Sequence, residues 1–135
     1  MSAAAAIPPE WDRAVAYGDG LFETIAVFDG VAPLWHFHRQ RLERSLQRLA
    51  INGDIYQIEQ AFLAVCAKHS HVLVKIVVAR SGGGRGYASQ QADSSVFQTC
   101  TYPLPVYALE RLQQGVQLHL CRQRLGDNPA LAGTL

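Results

Sequence analysis

The run from Tyr17 to Thr24, Tyr-Gly-Asp-Gly-Leu-Phe-Glu-Thr, constrains the fold more than any other stretch of the chain. Gly18 and Gly20 free the backbone just before an apolar run, which reads as a turn that delivers a strand. From Leu21 to Phe28, the residues Phe22, Thr24, Ala26 and Phe28 fall on one side, and Leu21, Glu23, Ile25 and Val27 on the other. Both sides are largely apolar, so the strand is expected to be covered on both faces. Asp29-Gly30 supplies the strongest short-range hairpin signal, with Val31 to Trp35 as the return strand.

A helix is expected from His36 to Ile51, because Leu42, Leu46 and Leu49 recur at helical spacing. Arg41, Arg44, Ser45 and Arg48 form a neighbouring, mostly cationic stripe. Asn52-Gly53 is expected to close that helix, and Asp54 with Gln57 resembles a capping box for a second helix reaching about Lys68. Ile58, Phe62, Val65 and Cys66 make its buried side. The β-branched run Val72 to Ala79 reads as a central strand, Ser81 to Gly86 as a glycine loop, and Ser95 to Tyr102 as a further strand stopped by Pro103. Tyr107 to Gln114 reads as a short helix, and Gly115 to Gln123 alternates like another strand. Strand, strand, helix, helix, strand, strand gives an α+β fold: a small antiparallel sheet with two helices on one face. Residues 1–12 are expected to be an irregular leader, 13–106 the α+β domain, and 107–135 a linking segment with the truncated start of a second domain.

A chain of 135 residues with 49% hydrophobic content can bury one core. A net charge of +1 gives no electrostatic case for nucleic acid or an acidic membrane surface, which leaves a small molecule as the expected partner. Cys66, Cys100 and Cys121 lie in apolar stretches and read as reduced core thiols. Ala3 to Ile7 lacks the basic flank of a signal peptide, and no apolar stretch approaches the roughly 20 residues that span a bilayer, so the expected location is cytoplasmic. His36 with His38, and His69 with His71, are H-x-H pairs without a completing carboxylate or thiol cluster, so no metal site is expected.

The opening run, followed by His38-Arg39-Gln40-Arg41-Leu42, resembles the start of the fold type IV pyridoxal-phosphate enzymes, and within them the aminodeoxychorismate lyase family. The resemblance covers nearly all of residues 8–133. It implies the N-terminal domain of that fold, a pyridoxal 5'-phosphate cofactor, 4-amino-4-deoxychorismate as substrate, and a homodimeric parent enzyme. Arg41 matches the arginine that contacts the cofactor phosphate, where an arginine stripe alone would read as a solvated helix face. Tyr17 matches a tyrosine at the mouth of the active site. Ser81-Gly82-Gly83-Gly84-Arg85-Gly86-Tyr87 lacks a Walker lysine and is a single copy of an RGG-like segment. It resembles the family's substrate loop, which makes Arg85 and Tyr87 the matching carboxylate contacts.

Pyridoxal-phosphate chemistry needs a lysine, and the chain contains two, Lys68 and Lys75. Lys75, inside an apolar strand, is the generic candidate on burial grounds. The resemblance points elsewhere, because Arg124 to Gly133 is similar to the element preceding the family's lysine, which would fall at about Leu135. The expectation is therefore an N-terminal fragment of the lyase, inactive alone and without a catalytic residue of its own. The alternatives are a fragment of a branched-chain or D-amino acid aminotransferase, or a non-catalytic interaction module derived from the fold.

Overall fold

A computed structural model describes residues 8–81 and 94–124. After a 3-10 turn at Pro9–Trp11 come helix α1 (Asp12–Tyr17), strand β1 (Gly20–Phe28), helices α2 (Trp35–Arg48) and α3 (Ile55–Cys66), strands β2 (His71–Arg80) and β3 (Ser95–Tyr102), and helix α4 (Leu109–Gln114). The three strands form one antiparallel sheet in the order β1-β2-β3. The expected α+β class, with α2 and α3 together on one face, is what the chain adopts. Helix α1 was not expected from the pattern of the chain.

Register decides which residues meet the helices. Leu21, Glu23, Ile25 and Val27 pair with Val78, Ile76, Val74 and Val72, and this row lies under α2 and α3. Ile25, Val27, Val74, Ile76 and Val78 are fully or almost fully buried there, with Leu42, Ile58 and Phe62 from the helices. Trp35 stacks on Phe62 with ring centroids 4.2 Å apart, and its Nε1–H donates to Glu59 at 2.8 Å. That bond, followed by the contribution of Arg39, holds the Glu59 carboxyl below its ordinary range. Asp54 caps α3 by accepting from the N–H groups of Tyr56 and Gln57, as its position predicts.

Five local expectations are corrected. The second face of β1 is open among the described residues: Phe22 is 56% exposed and Phe28 46%. The return strand after Asp29-Gly30 shrinks to a single bridge between Phe28 and Val31, since α2 already starts at Trp35. Both turn residues take positive φ, 51° and 75°, so the hairpin turn itself forms. Helix α2 closes earlier than Asn52-Gly53, with Ala50 at φ 50° and the N–H groups of Ala50 and Ile51 returning to the carbonyls of Gln47 and Leu46. This is a Schellman closure built on a non-glycine residue. Residues 115–124 form no strand and are exposed, because no described segment lies beside them to accept their alternation. Cys121, in that segment, is exposed rather than a core thiol, whereas Cys66 is buried and desolvation raises its thiol pKa.

Candidate functional site

Each unusual residue of the opening run has a separate task. Gly18 is the left-handed cap of α1, at φ 64°, and its N–H donates to Ala14 at 3.1 Å. Gly20 lies against β2 so closely that a Cβ would sit 2.6 Å from the Val78 carbonyl oxygen. Asp19, between them, gathers two arginines. Arg13 Nε donates to its Oδ2 at 2.7 Å, and Arg80 Nε donates to the same oxygen at 3.1 Å. Arg80 then spends both terminal nitrogens on the end of α2, donating to the carbonyls of Ala50 at 2.6 Å and Leu49 at 2.5 Å. A cation is favoured at the negative end of a helix, and here it also satisfies carbonyls that the helix cannot. α1, the turn, the end of β2 and the end of α2 are thereby fastened at one carboxylate.

Glu23 makes a second cluster. Its place in the inward row of β1 buries the carboxylate to 3% exposure, and a buried charge requires partners. Arg41 donates to Oε1 from Nε at 2.6 Å and to Oε2 from Nη2, while His38 Nδ1 donates to Oε2 at 2.8 Å. His38 and Arg41 are three residues apart on α2, so both reach down to the same point of the strand. Donating to Glu23 raises the Arg41 pKa further, against the opposing effect of desolvation.

The two-point contact uses one edge of the guanidinium. Among the described residues the Nη1 of Arg41 has no hydrogen-bond partner, and the side chain is 43% exposed. It lines a solvent-open cavity of about 740 Å³ with Gly18, Gly20, Phe22 and Thr24. This cavity follows the outer edge of β1, where side-chain bulk is absent at both glycines. A planar guanidinium presenting its Nη1 and Nη2 edge is suited to bidentate contact with phosphate or carboxylate oxygens.

The other expected site residues fall in different places. Tyr17 ends α1, with Arg13 over its ring at 5.2 Å from the centroid. Arg85 and Tyr87 lie outside the described residues. Lys68 is exposed beyond α3. Lys75 is on the open face of the sheet, paired with Thr24, with its Nζ 4.4 Å from the Phe22 ring centroid. Neighbouring positions along a strand point to opposite faces, so Lys75 faces away from the Ile76 and Glu23 row. Ser45 does not belong to a solvated stripe: it is 2% exposed and its hydroxyl has no hydrogen-bond partner. Glu23 and Asp19 were not singled out from sequence, and His38 was weighed there only as half of an H-x-H pair. A glutamate in the buried row of an alternating strand was the available sign, because it demands a buried cation.

Comparison with known proteins places the chain. Residues 20–134 match the amino-transferase class IV family. An aminodeoxychorismate lyase from Vibrio harveyi is 34% identical over 126 residues, covering 93% of this chain and 46% of that protein. The crystal structure of 4-amino-4-deoxychorismate lyase from Pseudomonas aeruginosa superposes with a TM-score of 0.80 at 42% identity, over 96% of this chain and 47% of the other. A fold IV-transaminase from Curtobacterium pusillum shares the fold, with a TM-score of 0.62 at 23% identity, over 81% of this chain and 38% of the other. The chain thus spans about half the length of the lyases it matches. With the match extending over most of its length, the chain belongs to the amino-transferase class IV family.

Proposed function

We propose that this chain is the N-terminal half of a 4-amino-4-deoxychorismate lyase, forming 4-aminobenzoate and pyruvate for folate biosynthesis, in a cytoplasmic homodimer. The observation that carries the reading is Arg41, held by Glu23 and opening on the cavity beside the Tyr17–Thr24 run, in a chain 42% identical to the P. aeruginosa lyase. Residues 13–106 are the N-terminal domain, and 107–135 lead into a second one.

The residues present fit the phosphate of pyridoxal 5'-phosphate: the Nη1 of Arg41 is open, and Gly18, Gly20 and Thr24 share the cavity with it. Arg41 would hold that phosphate, with Glu23 fixing the plane of its guanidinium. Gly18, where a side chain would stand in open space, leaves room for the ligand to approach the backbone, while Gly20 lets β1 lie close against β2. Tyr17, Arg85 and Tyr87 would meet the substrate, Arg85 through a carboxylate. The cofactor, once bound, supplies the electron sink for proton abstraction and elimination. Lys75 faces away from the Glu23 row and is not the reacting amine in this reading; that lysine lies outside these 135 residues, and the chain does not turn over alone.

A chimera tests the reading directly. Residues 1–135 are joined to the C-terminal half of the P. aeruginosa lyase, and 4-aminobenzoate formation is followed from 4-amino-4-deoxychorismate. Lyase turnover is expected. The second reading, an aminotransferase parent, is favoured by the family match itself. A chimera that exchanges amino groups between amino and keto acids, and forms no 4-aminobenzoate, would establish that reading instead.

A further inference from the structure

The Glu23 cluster raises a problem of charge. Arg41 faces the cavity with a buried carboxylate at its back, so the pair is neutral and attracts an anion weakly. His38 is the third member, 15% exposed, with its Nδ1 2.8 Å from Glu23 Oε2 and 3.2 Å from Arg41 Nη2; beside an ionised carboxylate that nitrogen is the donor. A carboxylate only accepts, so the Nδ1 proton stays in place and any second proton goes to Nε2. Imidazole is the side chain that changes charge in the window of about pH 5 to 8. We infer that His38 and Glu23 are positioning residues of a proton-linked anion site at Arg41, in which a proton on His38 Nε2 offsets Glu23 and tightens binding of a dianionic phosphate or sulfate group. This deepens the proposed phosphate contact and rests on it.

The charges on the neighbouring elements form a background that is the same whether or not His38 carries the second proton. Across β1 the carboxylate facing His38 is Glu23, and on α2 the cation beside it is Arg41. On α3, Glu59 is taken by Trp35 and Arg39, and Arg39 also reaches Glu43. At the start of β1, Asp19 is shared by Arg13 and Arg80, and that cluster keeps a net +1 in both states of His38. With His38 neutral the Glu23 cluster sums to zero; with His38 protonated it sums to +1. Linkage is reciprocal, so a bound dianion must hold the proton on His38 to higher pH.

Sulfate is the probe, because it stays dianionic across the window. Its affinity for the 135-residue chain is measured by NMR titration between about pH 8 and 5.5, where the account expects a gain of about threefold to tenfold on acidification. His38→Asn keeps a donor near the Nδ1 position but cannot titrate, and should bind sulfate with a flat pH profile. The His36, His69, His71 and His119 side chains remain in that variant and serve as its internal control. Independently of any variant, sulfate should raise the titration midpoint of the His38 ring signals. A flat profile in the unaltered chain, a slope that survives His38→Asn, or His38 signals indifferent to sulfate would overturn the proton link while leaving the Arg41 site standing. Sulfate binding that is unchanged in Arg41→Ala, or absent altogether, would overturn both.

Discussion

Two carboxylates four residues apart, Asp19 and Glu23, each hold arginine, and the two clusters come to opposite ends. At Asp19 the arginines are consumed: Arg13 and Arg80 side chains are 5% and 9% exposed, and the nitrogens of Arg80 are all turned inward to Asp19 and the end of α2. At Glu23 the arginine is displayed, with its side chain 43% exposed and one edge on a cavity. The residue types are the same, so what separates a fastening from a candidate binding group is where the remaining N–H groups point. Arg80 meets backbone carbonyls at the end of α2, whereas Arg41, among the described residues, meets an open cavity.

The largest effect expected from breaking this contrast is at Asp19. Asp19→Ala strands two buried guanidiniums and should cost about 3–5 kcal/mol in urea denaturation, enough to leave the domain near the limit of folding. Gly20→Ala should cost about 1–3 kcal/mol, since its methyl would meet the Val78 carbonyl at 2.6 Å and β1 would have to move from β2. Arg41→Ala should cost about 1–3 kcal/mol: the arginine was half in water, but it leaves the buried Glu23 carboxylate with His38 beside it. If Arg41→Ala proves as damaging as Asp19→Ala, the two clusters are both fastenings and the contrast fails.

A smaller effect sharpens the role of the helix pair away from both clusters. The Glu59 carboxyl is depressed chiefly by the Trp35 N–H, so the unfolded chain binds more protons than the folded one as pH falls. Its stabilising contribution is present above the unfolded value of about 4.3 and is lost as pH falls through the lower folded value. Trp35→Phe keeps an aromatic ring on Phe62 and removes that N–H. Its deficit in stability should therefore be full near neutral pH and shrink on acidification below about pH 4. The smallest change is a gain. Ala50→Gly relieves a positive φ in the Schellman closure and should stabilise by roughly 0.5–1 kcal/mol, read as a rise in Tm.

Much of the architecture was legible in short-range chemistry. The β3 strand, the Asp54 cap and the cores of both long helices follow from periodicity and capping residues within a few positions. The misread elements depended on partners far along the chain. Val31 to Trp35 had the composition of a return strand, but Trp35 is claimed by Glu59 and Phe62, 24 and 27 positions away, and joins α2 instead. Residues 115–124 alternate as a strand does, yet alternation describes a strand only when a neighbour takes its hydrogen bonds. For the candidate site, the motif of the family pointed to Arg41, while Glu23 looked like one more member of an alternating run. Asp19 was hidden for the same reason, since its bond to Arg80 spans 61 positions. Local patterns report which face a residue occupies; they do not report which charge waits on that face.

The role proposed for Arg41 is to bind a phosphate group. Pyridoxine 5'-phosphate and pyridoxine differ by that group and carry no aldehyde to react with Lys68 or Lys75, so calorimetry with both compounds isolates the contact. The account predicts that the 135-residue chain prefers the phosphorylated compound by about tenfold or more, as a charge-assisted bidentate contact implies, and that Arg41→Ala abolishes the preference while remaining folded. Equal affinity for the two compounds, or a preference that persists in Arg41→Ala, would contradict it.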